Sequence, residues 1–166
     1  MAHAFSARTN VLLANAGRYQ AQLQSGGPKK RTGAVVVTCM DARFNVYALL
    51  GLNECDAHIL RNAGGVVTDD VIRSLAISQR LFETTDVMVI THAACGLRDI
   101  TDEQLTSAVQ ADVGVRAAWP AATLCDVTAE ARRGVARLRS TPVLRHTNGI
   151  RGFCFDETTG ELHELC

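Results

Sequence analysis

Three short apolar segments, separated by stretches with helical spacing, constrain the fold of this chain most strongly. Residues 34–38 form a continuous run rich in β-branched side chains, residues 58–60 form a brief second run, and residues 86–91 form a third. Apolar runs of this kind are typical of strands that are buried on both faces. Helical patterns at residues 46–52 and 69–82 lie between the runs, and this alternation predicts parallel strand pairing. The sequence therefore predicts an α/β fold.

The two ends of the chain are predicted to add helices and a hairpin to this core. Apolar side chains recur at helical spacing in residues 8–24, and a loop rich in Gly and basic residues follows. Helical patterns also occupy residues 102–111 and 126–139. The last segment, residues 152–165, contains two short strand patterns around a Gly-containing turn, which predicts a C-terminal β-hairpin.

Composition and charge exclude several classes of protein. The 166 residues are 47% hydrophobic and 20% charged, which is ordinary for a globular chain. We predict a single domain (residues 1–166), with residues 1–33 as an N-terminal helix and linker. Seventeen basic and 17 acidic residues balance, so the basic surplus of nucleic-acid binders is missing. No apolar run approaches the roughly 18–20 residues that span a bilayer, and residues 1–10 lack the pattern of an export signal. We therefore expect a cytoplasmic protein that binds neither nucleic acid nor membrane.

Two of the predicted strand ends carry residues that can bind a metal ion. Cys39 ends the first strand, and His92 and Cys95 follow the third. Because the carboxyl ends of parallel strands form one edge of a sheet, these side chains converge if the two strands are neighbours. Two thiolates and one imidazole suit zinc and leave its fourth position open, which is typical of a catalytic site. The remaining cysteines show no ligand spacing and are predicted to be packed or free thiols: Cys55, Cys125, Cys154 and Cys166.

An acidic and a basic side chain follow the first of these cysteines closely. Asp41 and Arg43 lie two and four residues after Cys39. As a surface ion pair they would contribute little. Beside an open metal site they predict a gate, in which the carboxylate either ligates the metal or is held off it by the guanidinium group.

The motifs at these positions resemble the signatures of the β-class carbonic anhydrases. The resemblance rests on Cys39-Met-Asp-Ala-Arg43, on Arg61-Asn-Ala-Gly-Gly65 and on His92-Ala-Ala-Cys95-Gly96. Residues 68–75 are similar to the small bacterial, archaeal and fungal branch of that family. The similarity extends from about residue 31 to residue 156, which is most of the chain.

This resemblance implies a zinc lyase in which Cys39, His92 and Cys95 hold Zn²⁺ and in which Asp41 and Arg43 form the catalytic dyad. The implied reaction adds hydroxide, formed from water on the zinc ion, to a small linear gas molecule, which makes it the reversible hydration of carbon dioxide to bicarbonate. The resemblance further implies a four-stranded parallel core, an N-terminal helix that clasps a neighbouring subunit, and a homodimer or homotetramer.

The rim of the predicted substrate pocket leaves the preferred gas open. Members of this branch commonly place Thr-Asp or a Gly-containing pair between the His and the Cys, whereas this chain has Ala93 and Ala94. An apolar rim is compatible with the main alternative, a carbonyl sulfide hydrolase that uses the same site. The backbone at Gly64 and Gly65 is a candidate wall of the pocket. A further alternative is a non-catalytic zinc protein or a thiol-redox protein.

Overall fold

Five strands and five α-helices make up the described part of the chain, which comprises residues 7–22, 32–120, 122 and 124–166 of a computed structural model. In chain order the elements are α1 (Ala7–Gln22), β1 (Ala34–Cys39), α2 (Val46–Leu50), β2 (Ala57–Asn62), α3 (Asp69–Leu81), β3 (Asp86–His92), α4 (Asp102–Val113), α5 (Val127–Arg139), β4 (Ile150–Asp156) and β5 (Glu161–Glu164). A single 3₁₀ turn, Ala63–Gly65, joins β2 to the segment before α3.

All five strands lie in one sheet, in the order β2-β1-β3-β4-β5. The first four run parallel, and β1 lies between β2 and β3, so that Val36 is aligned with Ile59 on one side and Met88 on the other. Strand β5 pairs antiparallel with β4 and forms the C-terminal hairpin. The predicted α/β fold, with a four-stranded parallel core and this hairpin, is therefore confirmed.

Alternation along β1 divides the core into two layers. Val35 and Val37 point to the face that is covered by α3 and α5, where they pack with Leu75 and Leu138. Val36 points to the opposite face and packs in a cluster with Phe44. Both faces of β1 are buried, and the strand therefore contains no polar residue before Thr38. This is the continuous apolar run from which the strand was predicted. The Thr38 hydroxyl is buried too, and it donates to the Ile90 carbonyl oxygen at 2.8 Å.

Helix starts follow the capping signals of the sequence. The Thr68 side chain accepts a hydrogen bond from the Val71 backbone N–H and so begins α3. In α4, Thr101 and Gln104 form a reciprocal capping box, although no described residue of that helix is buried.

Two sequence expectations concern the N-terminal region. Helix α1 is present over residues 7–22, whereas residues 23–31 of the predicted linker lie outside the described residues. The clasp of α1 on a neighbouring subunit stays a prediction. Within the described segments, no helix combines the length and apolarity that crossing a bilayer requires.

Candidate metal centre

The pairing of β1 with β3 brings three soft metal-binding groups to one edge of the sheet. Cys39 is the last residue of β1 and His92 is the last residue of β3, and Cys95 follows three residues later. One ligand atom from each of the three lies within 4.8 Å of the others, and the two Sγ atoms are 4.0 Å apart. All three side chains are buried, at 4% exposure or less. The structure therefore assembles the triad that the strand ends predicted.

One nitrogen of this cluster makes no hydrogen bond to any described residue. The Nε2 atom of His92 is the only buried side-chain nitrogen or oxygen without a hydrogen bond among the described residues. An unpaired buried polar atom is costly, so its presence beside two thiols indicates a ligand. The donor set of two sulfurs and one imidazole nitrogen matches the preference of zinc.

The environment lowers the pKa of one thiol of the cluster and raises that of the other. Burial favours the neutral thiol of Cys39, but the nearby His92 ring and two backbone N–H groups outweigh burial and lower its pKa to about 7. For Cys95, burial and the adjacent Cys39 both raise the pKa. A divalent cation would stabilise both thiolates, because a coordinating thiol is deprotonated.

The Asp41 carboxylate lies outside the triad and is held by Arg43. The Arg43 side chain donates to both Asp41 oxygens, at 2.6 Å for the closest contact, and the Arg43 backbone N–H donates at 2.9 Å. These hydrogen bonds keep the pKa of Asp41 well below its usual range. The same guanidinium group donates to the Ala94 carbonyl oxygen at 3.1 Å. The guanidinium group of Arg43 therefore binds both the Asp41 carboxylate and the loop after β3, and the gate stays a prediction.

A second arginine, which sequence reasoning did not assign, organises the loop that carries this pair. Arg61 of β2 donates to the backbone carbonyl oxygens of Cys39, Asp41 and Phe44, at 2.7–3.0 Å. These bonds satisfy three carbonyl groups of the loop that follows β1. Arg61 therefore shapes the loop through backbone contacts.

The two glycines of the 3₁₀ turn lie against the end of β1, which carries Cys39. Both have positive φ, and Gly65 approaches β1 so closely that an added Cβ would lie 2.9 Å from the Cys39 backbone nitrogen and from the Thr38 carbonyl carbon. The backbone N–H of Gly64 donates to the Cys39 sulfur and contributes to the lowered pKa of that thiol. This turn therefore needs glycine for conformation and for space.

We expect Gly65→Ala to be more destabilising than Gly160→Ala. Both positions have positive φ, which costs an alanine about 1–2 kcal/mol. At Gly160 the added Cβ meets nothing within 4 Å, whereas at Gly65 it meets the β1 backbone. Overpacking should therefore lower the free energy of unfolding of Gly65→Ala by a further ~1–3 kcal/mol. Urea denaturation of the two metal-free variants measures the difference, and equal losses would contradict the close approach.

A cavity of about 270 Å³ opens beside the triad. Its described lining consists of two aromatic, three charged and two other residues: Phe44, Phe155, Asp41, Arg43, Glu157, His92 and Ala94. The Phe44 ring stacks on both the His92 ring and the Phe155 ring, at 5.9 and 5.2 Å between centroids. Ala93, Gly64 and Gly65 are not among the described lining residues of this cavity.

Glu157 is a further residue at the site that sequence reasoning missed. It follows β4, whose carboxyl end lies beside that of β3, and its carboxylate contacts Nδ1 of His92. Burial opposes ionisation of Glu157, but the His92 contact and backbone N–H groups hold its pKa below the usual value. The strand-end rule that selected Cys39 and His92 would have found this residue if it had been applied to the fourth strand.

Comparisons with known proteins identify the family of this chain. A family model described as carbonic anhydrase matches residues 34–162. The β-carbonic anhydrase 1 of Mycobacterium tuberculosis is 44% identical over 130 residues, which cover 78% of this chain and 80% of that protein. The chain belongs to the β-carbonic anhydrase family. The resemblance inferred from the sequence motifs is thereby confirmed.

Two further comparisons, one with a solved structure and one with a curated protein, place this β-carbonic anhydrase family member among its relatives. A crystal structure of carbonic anhydrase from Streptococcus mutans has a TM-score of 0.87 and 36% identity, with 99% of this chain and 100% of that chain covered. A protein named carbon disulfide hydrolase from Acidianus sp. is 47% identical over 70 residues, which cover 42% of this chain and 34% of that protein.

Proposed function

We propose that this chain catalyses the reversible hydration of carbon dioxide to bicarbonate. The observation that carries the proposal is the convergence of Cys39, His92 and Cys95 beside the Asp41–Arg43 pair, at the mouth of a partly apolar cavity. The family to which the chain belongs supports the same reaction.

The three buried groups are proposed to hold Zn²⁺ through the Sγ atoms of Cys39 and Cys95 and the unpaired Nε2 of His92. When bound, zinc lowers the pKa of water and so supplies hydroxide near neutral pH. Two thiolates compensate the charge of the dication within a buried site. The fit of the cluster to zinc rests on its donor set and on the unpaired nitrogen.

Asp41 is proposed to orient the attacking water. An ionised carboxylate only accepts hydrogen bonds, so it can take a bond from water in the cavity and direct a lone pair toward the substrate carbon. Arg43 keeps that carboxylate ionised and holds it in place through its side chain and its backbone N–H. Since Arg43 also bonds the Ala94 carbonyl oxygen, it ties the loop after β1 to the loop after β3.

The substrate carbon dioxide is linear, small and without net charge, so its binding requires shape and an apolar surface more than ion pairs. The Phe44 and Phe155 rings supply that surface within the cavity. Of the charged groups that line the cavity, Asp41 can accept hydrogen bonds from water, and Arg43 supplies the positive charge that attracts the bicarbonate anion.

The decisive experiment measures carbon dioxide hydration by stopped-flow with the metal-free and the zinc-loaded protein. We expect turnover only after zinc is loaded, because Asp41 alone cannot make water a sufficient nucleophile at neutral pH. A zinc-loaded protein without hydration above the buffer rate would contradict the proposal. A thiol-redox protein, by contrast, would act without zinc.

A second candidate reaction is the hydrolysis of carbonyl sulfide or carbon disulfide at the same site. The observations that favour it are the relative named carbon disulfide hydrolase and the alanine at the cavity rim. Sulfur is larger and more polarisable than oxygen, so these substrates gain more dispersion energy against apolar groups. Parallel assays of the three substrates with one zinc-loaded sample would rank them.

We expect Ala94→Ser to shift this preference toward carbon dioxide, and Ala93→Ser to leave it unchanged. Ala94 lines the cavity, whereas Ala93 lies outside the described lining. A hydroxyl group at residue 94 would bond water and bicarbonate and would reduce the apolar contact with sulfur. The expected change in the ratio of kcat/KM for carbon dioxide to kcat/KM for carbonyl sulfide is several-fold, since one such group is worth roughly 1 kcal/mol. If this ratio is the same in Ala94→Ser and Ala93→Ser, residue 94 does not determine substrate preference.

We also propose that the chain acts as a homodimer or homotetramer. In the single chain, α1 exposes large apolar side chains over more than half of their surface: Val11, Leu12 and Leu13. A row of this kind on one helix is better explained by a neighbouring subunit than by solvent. Light scattering of the purified protein measures the assembly directly.

A further inference from the structure

The carboxylate of Glu157 lies on the side of the His92 ring opposite the proposed metal. It contacts Nδ1, which leaves Nε2, the ring nitrogen without a hydrogen bond among the described residues, for the cluster with the two cysteines. Both carboxylate oxygens also accept from the Ala94 backbone N–H, at 3.0 and 3.2 Å. Glu157 therefore contacts the ligand at the end of β3 and the segment that leads to Cys95.

These contacts decide which ring nitrogen carries the hydrogen. An ionised carboxylate can only accept, so the His92 nitrogen that faces it must be the N–H. The neutral ring then has its lone pair on Nε2, the buried atom that lacks a partner among the described residues. Metal ligation by a neutral imidazole requires a free lone pair at that nitrogen.

Burial and one aromatic contact restrict the remaining freedom of the ring. His92 is 1% exposed, and the Phe44 ring stacks on it with an interplanar angle of 21°. Stacking restrains the plane of the imidazole but leaves a 180° flip of the ring equally well packed. The hydrogen bond to Glu157 removes that ambiguity.

We propose that Glu157 is a positioning residue that fixes the tautomer and the ring orientation of His92 and thereby prepares Nε2 to bind zinc. This inference rests on the proposed zinc site. Carboxylate groups that accept from a metal-ligating histidine commonly raise its basicity and orient its ring. With this role for Glu157, the turn of the C-terminal hairpin becomes part of the proposed metal centre.

The experiment compares Glu157→Ala, Glu157→Gln and Glu161→Gln. The glutamine side chain at residue 157 keeps a carbonyl acceptor for the Nδ1–H group, whereas alanine removes it. Glu161 belongs to the same hairpin, is 66% exposed and does not contact His92, so Glu161→Gln is the matched control. Zinc affinity is measured by competition with a chromophoric chelator, and denaturation of the metal-free proteins reports any general effect on folding.

We expect Glu157→Ala to weaken zinc binding roughly 10- to 100-fold, and Glu157→Gln to recover most of that loss. The control should bind as the unmodified protein does. Wild-type affinity in Glu157→Ala would overturn the proposal. Equal losses in the alanine and glutamine variants would also overturn it, because they would assign Glu157 to the Ala94 loop alone.

The tautomer of His92 can be observed without a variant. The ¹⁵N chemical shifts of the zinc-loaded protein should show a protonated Nδ1 and a metal-bound Nε2. The reverse assignment would overturn the proposal even if Glu157→Ala failed to fold. Failure of the proposed function is distinct, because a protein that binds zinc in a Glu157-dependent manner but hydrates no carbon dioxide would leave this inference standing.

Discussion

Cys95→Ala should lose its zinc and nearly all carbon dioxide hydration. The substitution leaves only Cys39 and His92 in the cluster, and two ligands are too few for the usual protein zinc site. Since activation of water by the metal is worth several kcal/mol, we expect hydration to fall at least ~1000-fold. Elemental analysis of the purified variant, together with stopped-flow hydration, measures both effects.

The chain offers a matched control for this substitution. Cys154 is buried in the same apolar cluster as Cys95 but lies outside the group of metal-binding atoms. Cys154→Ala removes a similar volume from the core, so it should cost similar packing energy while about one zinc per chain is retained. Equal zinc content in the two variants would show that Cys95 is not a ligand.

Asp41→Ala should abolish most of the turnover while zinc stays bound. The Asp41 carboxylate is paired with Arg43 and stands apart from the triad, so its loss leaves the metal-binding atoms in place. Removing a group that positions a proton-bearing nucleophile typically costs 100-fold or more, and we expect a loss of about that size in kcat. Metal analysis and stopped-flow hydration together separate this result from metal loss.

Asp70→Ala is the control for the removal of a carboxylate. Asp70 forms an exposed ion pair with Arg73 at 3.3 Å, three residues along α3, and such pairs contribute little. The Asp70→Ala protein should therefore keep full carbon dioxide hydration activity. An Asp41→Ala protein that loses its zinc would instead identify Asp41 as a ligand, and near-normal turnover would remove it from the mechanism.

Local sequence patterns determined the strands and the metal-binding triad. The continuous apolar run of β1 can be recognised in the sequence because both faces of that strand are buried, and the same holds for most of β3. Once two strands are predicted to be parallel neighbours, their final residues must share an edge of the sheet. Cys39 and His92 could therefore be placed together although they lie 53 positions apart along the chain.

Strand lengths were harder to predict than strand positions. The apolar pattern marked only residues 58–60, but β2 extends over Ala57–Asn62. Its last two residues, Arg61 and Asn62, are polar and continue the strand because they align with Thr38 and Cys39 of β1. Backbone hydrogen bonds to a neighbouring strand do not depend on side-chain polarity, so such an extension leaves no apolar pattern.

Only the tertiary structure decided which groups surround the triad. Glu157 lies 65 positions after His92, and their contact depends on the pairing of β4 with β3. The sequence predicted a strand before Glu157, but the apolar pattern alone does not say that this strand lies beside β3. The distinction between Ala93 and Ala94 is of the same kind, since only the second lines the cavity. The physical reason is that strand order and side-chain direction are set by how the layers pack, through contacts between residues that are distant along the chain.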